Sequence, residues 1–165
     1  MDEEKIHFLK HQFISALKQV STDTKPKWGK MTLQQMVEHL SEYVRIASGR
    51  NAHQTIVTPP ENLQKMQVFL MSDKPFRENT PNPLLPIDPV PVKNKSFETA
   101  LKELEDEIDH FFSVFEKNPH LTTRNPFFGD LNFEMNVQLL YKHALHHLKQ
   151  FGVHPQSLQG SVEQS

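Results

Sequence analysis

Proline placement restricts what this chain can become more than any other feature. Most of its 12 prolines crowd between residues 51 and 95, among them Pro59-Pro60 and a run from Pro81 to Pro91. Proline has no amide hydrogen and its ring clashes with the preceding turn, so a regular helix is excluded from about Ser72 to Lys95. The flanking stretches are long, almost free of proline, and carry apolar residues at three- and four-residue spacing. Together these patterns predict an all-α fold: a helical bundle of four long helices, with a proline-rich crossover between the second and the third.

The first helix is expected from about Asp2 to Val20, with Ile6, Leu9, Phe13 and Leu17 on its apolar side. The second opens at Thr32, where Thr32 and Gln35 match the S/T-x-x-E/Q capping box, and closes at Gly49. Leu33, Met36, Leu40, Val44 and Ala47 form its stripe, and His39 sits at the edge. A short helix is compatible with Glu61 to Met71. Phe76, Leu84, Leu85, Ile87 and Val90 suggest an ordered crossover that packs over the bundle and roofs a pocket. The third helix runs from an N-cap at Ser96 to Lys117, before Asn118-Pro119. Residues 120–130 read as a loop. Asn132 then caps a fourth helix that ends at Phe151-Gly152. The expected organisation is one domain over residues 1–152 and a polar, frayed tail over 153–165.

Composition narrows the chemistry. With 165 residues the chain can bury a core, and 12 Phe and 6 Met compensate for a hydrophobic fraction of only 36%. The net charge is −2 and there is no basic block, so the electrostatic footprint of a nucleic-acid binder is missing. There is no cysteine. Disulfides, thiolate ligands and a cysteine nucleophile are therefore excluded, and any metal must be held by nitrogen and oxygen. The charged N-terminal segment is not patterned as a signal peptide, and no run approaches the ~20 apolar residues of a membrane span. A soluble, cytoplasmic protein without a membrane or nucleic-acid partner is the expectation.

The chemistry concentrates in the fourth helix, where Tyr141-Lys142-His143-Ala144-Leu145-His146-His147 places three histidines in five residues. At about 100° per residue, Phe133, Val137, Leu140, Ala144 and Phe151 share a narrow arc. His147 falls inside that arc, His143 at its edge, and His146 well away from it. Residues four apart share a face, so His143 and His147 can both bring a ring nitrogen to one ion. A bare His-x-x-x-His is a weak signal; two hydrogen-bonded core histidines would have the same spacing. Four other groups weigh less. His7 and His11 are also four apart but lie in a charged helix, and His110 reads as surface or packing. Glu38 faces away from His39, and no general base can be assigned. Tyr43, one turn after His39, could reach the site, and a packing role suits it equally; Gln150, about one turn beyond His147, could orient a ligand or bind substrate, but a polar rim position suits it better.

Two segments carry a family resemblance. Trp28-Gly29-Lys30-Met31-Thr32-Leu33-Gln34-Gln35-Met36-Val37-Glu38-His39-Leu40 resembles the opening of the second helix in the DinB/YfiT-like superfamily of metalloenzymes. The ending His143-Ala144-Leu145-His146-His147-Leu148-Lys149-Gln150-Phe151-Gly152 resembles that superfamily's last helix. The resemblance implies a four-helix bundle with one long crossover. It also implies a divalent metal, zinc or nickel, held by His39, His143 and His147. Its members include hydrolases and thiol-cofactor-dependent transferases or isomerases, so a small-molecule substrate and a thiol cofactor are candidate partners. Whether two copies associate is left open. The competing reading is a non-catalytic binding or structural module in which the metal only stabilises the bundle.

Overall fold

The computed structural model describes residues 2–52, 55–78 and 89–154, and these are mostly helical. The first rod has three parts: α1 (Glu3–His7), a π-helical turn (Phe8–Gln12) and α2 (Phe13–Lys18). The expected single helix therefore contains a bulge. The amide of Phe13 bonds back to the carbonyl of Phe8, five residues earlier. In a straight α-helix two residues five apart diverge by roughly 140°. The wider turn brings both onto the core side, with ring centroids 5.7 Å apart. Phe8 is buried as a result, while Ile6, expected in the stripe, is only half-buried.

The second rod, α3 (Leu33–Ser48), starts at the expected capping box. The Thr32 hydroxyl accepts from the Gln35 amide at 3.2 Å, and the Gln35 side chain accepts from the Thr32 amide at 2.9 Å. It ends at Gly49, whose φ of +82° is one that side chains with a Cβ disfavour. α4 (Pro60–Met71) begins with proline at its first position, where the missing amide hydrogen costs nothing. α5 (Phe97–Lys117) is capped by Ser96 and α6 (Phe133–Gln150) by Asn132.

Between α5 and α6 the structure departs from the expected loop. β1 (Thr123–Asn125) and β2 (Gly129–Leu131) form an antiparallel hairpin, with Thr123 opposite Leu131 and Asn125 opposite Gly129. Strands of three residues are too short to show an alternating pattern, so side chains hold the turn. The Asn125 carboxamide oxygen accepts from the amides of Phe127 and Phe128. Thr123 ties the hairpin to the helices: its hydroxyl donates to the carbonyl of Ala47 and accepts from the Asn136 side chain.

Side chains of the first rod, α3, α5 and α6 meet in one core that includes Leu17, Met36, Leu104, Phe111 and Leu148. A smaller cluster of Leu70, Phe128, Leu131 and Leu139 joins α4 to the hairpin and α6, with Phe76 packed against it. Phe76 thus packs as expected, but Val90 is 49% exposed. Leu84, Leu85 and Ile87, expected to pack with it, lie outside the described residues. The strand of chain leading into α5 is held by polar groups instead. Glu38 accepts from the amides of Lys93 and Asn94, Gln34 donates to the carbonyl of Asn94, and Gln35 donates to that of Val90. The expected tail begins one residue late, because Val153 packs against the core and its amide donates to the carbonyl of Leu148; His154 is exposed, and residues 155–165 lie outside the described residues. No helix among the described residues is long and apolar enough to cross a membrane.

Candidate metal centre

His39 on α3 and His143 and His147 on α6 converge. The Nε2 atom of His143 lies 3.1 Å from that of His39 and 2.9 Å from that of His147. The two helices cross so that the edge of the α3 stripe meets the arc predicted on α6. His147 is buried; His39 and His143 are half-buried. Tyr43, one turn beyond His39, stands against both half-buried rings, with centroid separations of 4.9 and 5.0 Å. The Phe76 ring also lies edge-on to His143, at 6.4 Å.

Electrostatics keep this cluster uncharged. Burial, reinforced by the nearby His146, lowers the pKa of His39 to about 4. Burial also drives His143 and His147 well below the ordinary imidazole range, and the neighbouring histidines add to the effect. Neutral imidazole is the form that ligates metals. The cluster's nitrogens are hard to satisfy without an ion. The His143 nitrogen carries either one N–H or one lone pair, so without an ion it makes a good hydrogen bond to only one of its two neighbours. Two nitrogens at about 2.0–2.1 Å from one ion would be separated by roughly 2.8–3.4 Å for angles between square and tetrahedral. The observed 2.9 and 3.1 Å agree with that range. The donor set therefore fits a divalent cation.

The family model for the DinB superfamily matches residues 11–151, which include all three histidines. The chain belongs to the DinB superfamily. No curated protein and no solved structure matches it. Within this superfamily member, the His39–His143–His147 group is the one set of three or more His, Asp or Glu side chains among the described residues whose atoms lie close enough to hold a metal.

The remaining sequence candidates separate cleanly. The rings of His7 and His11 lie 5.0 Å apart, tilted by 49°, on an exposed face and outside the cluster. His110 is half-buried on α5 and outside it. His146 does not join the three, but it is closer than an outward-pointing residue would be. Its ring lies 5.0 Å from that of His147 and 5.3 Å from that of Trp28. Glu38 holds the chain before α5 and does not serve the cluster. Gln150 needs correcting: it is not on a polar rim but 3% exposed, and its side-chain oxygen sits 2.7 Å from His147 Nδ1. The His147-x-x-Gln150 spacing was a visible signal. That the helix end is buried was not, because burial there comes from the loop around Trp28.

Proposed function

We propose that this DinB-superfamily chain is a metal-dependent enzyme of hydrolase or thiol-cofactor-dependent transferase type, acting on a small molecule. His39, His143 and His147 are its ligands to a divalent ion, zinc or nickel. The observation that carries this reading is the meeting of three uncharged imidazole nitrogens from two helices at 2.9 and 3.1 Å. Three protein ligands leave a coordination position for substrate, the pattern of catalytic rather than closed structural zinc sites. The chemistry such an ion supplies is Lewis acidity, which makes a water or a thiol nucleophilic near neutral pH.

The protein's own residues shape the surroundings. The rings of Tyr43 and Phe76 make edge contacts with His143 that limit water. His146, Phe76, Trp28, Tyr141 and Lys142 help to line a cavity of about 220 Å³, smaller than the ~300–1,000 Å³ typical of ligand pockets, and none of the three candidate ligands lines it. The scaffold we infer is a four-helix bundle of the first rod, α3, α5 and α6, forming one domain over residues 1–152. The shared core of those four rods supports it.

The test is metal analysis of untagged protein beside His147→Ala and His146→Ala. We expect close to one ion per chain in the wild type and in His146→Ala, and a large loss in His147→Ala. Equal metal in all three would reject the ligand assignment. A turnover screen with esters and thiol-cofactor conjugates then separates the two classes of function. A chelator-sensitive melting temperature without turnover would favour the purely structural ion.

A further inference from the structure

We propose that Gln150 is the positioning residue of the metal centre. It fixes which nitrogen of His147 carries the proton, and the carbonyl of Trp28 fixes Gln150. This rests on the metal-centre reading for its consequence, but its geometry stands alone.

The Gln150 carboxamide lies between two groups. Its Nε2 donates to the carbonyl of Trp28 at 3.0 Å, and its Oε1 lies 2.7 Å from His147 Nδ1. A backbone carbonyl can only accept. Turning the carboxamide over would set two oxygens 3.0 Å apart and lose a buried hydrogen bond. The oxygen of Gln150 must therefore face His147. Since that oxygen can only accept, the proton sits on Nδ1. Nε2 is left bare, and it is Nε2 that points at His143. The Trp28 carbonyl thus selects the tautomer of a histidine more than a hundred residues away in sequence, through one carboxamide.

The surrounding loop is built for this contact. The Lys27 amide donates to the Gln150 backbone carbonyl at 2.8 Å, so the loop before α3 is clipped to the end of α6. Gly29 follows with φ +75°, and a Cβ there would stand 3.2 Å from the Gln150 side-chain nitrogen. The space that a side chain at Gly29 would contest is the space the carboxamide uses. Partners that orient a ligating histidine typically contribute 10–100-fold in metal affinity.

The experiment is long-range ¹H–¹⁵N NMR of the imidazoles in chelator-stripped protein, with zinc affinity measured on the same samples. We expect the Nδ1–H tautomer at His147 in the wild type. Gln150→Met should lose that tautomer preference and bind zinc 10–100-fold more weakly. Gln150→Glu can still accept from Nδ1–H, and when protonated it can donate to the Trp28 carbonyl. It should keep the tautomer and stay within a few-fold of wild-type affinity. An Nε2–H tautomer in the wild type would overturn the proposal even if neither variant folds. So would a folded Gln150→Met with unchanged tautomer or affinity. Wild-type protein that shows the Nδ1–H form yet takes up no zinc would uphold the tautomer lock and reject the metal reading instead.

Discussion

Each histidine of the cluster has a different relation to the sequence. His147 was legible because its apolar neighbours on α6 define an arc that contains it. His39 was ambiguous on its own stripe, and only the family resemblance paired it with α6. The depressed pKa values have a consequence for stability. In the unfolded chain these imidazoles titrate near 6.5; folded, His39 titrates near 4 and the others well below 6.5. Between about pH 4 and 6.5 the unfolded state therefore binds more protons, so stability rises with pH across that window and is lost as pH falls through it. Chelator-stripped protein should melt at a steady temperature above pH 7 and progressively lower from pH 6.5 down to 4. Calorimetry over that range checks this. A melting temperature unchanged down to pH 5 would mean that the three rings are not held neutral.

At the scale of elements, caps could be read in advance and irregularities could not. The Thr32–Gln35 box, Ser96, Asn132 and Gly49 all act locally, and each stands where sequence reasoning put it. The π-turn in the first rod and the short hairpin answer to distant partners. So does the end of α4, which α6 captures. Lys142, 7% exposed, donates from Nζ to the carbonyls of Phe69, Leu70 and Ser72 and lies 4.3 Å from the centre of the Phe69 ring. A cation at a helix C-terminus is favoured by the helix dipole, and here it also bonds carbonyls at and just past the helix end, of which that of Phe69 accepts from Ser72 as well. Gln138 donates to two of the same carbonyls. This clamp holds the chain that carries Phe76 beside His143. Lys142→Met should cost about 1–3 kcal/mol in urea unfolding. It should also speed amide hydrogen exchange in the last turn of α4 before it affects α5. A variant as stable as wild type would show that Gln138 alone suffices.

For the whole molecule, the candidate ligands come from two rods that lie far apart in sequence, so an ion would cross-link them. Binding only to the folded state stabilises it by RT ln(1 + [L]/Kd), about 2.7 kcal/mol at a hundredfold excess over Kd. Zinc should therefore raise the wild-type melting temperature by several degrees and leave His39→Ala nearly unmoved; scanning calorimetry with and without the ion reads the difference. An equal rise in both would place the binding elsewhere. Local patterning was enough to specify the long helices after the first, their caps and the inward face of α6, because periodicity and capping depend on residues within a turn or two of one another. Which histidines meet, that Gln150 is buried against the Trp28 loop, and that Lys142 captures the end of α4 depend on how the rods cross. That crossing is an outcome of packing among side chains distant along the chain, and no short window of residues contains it.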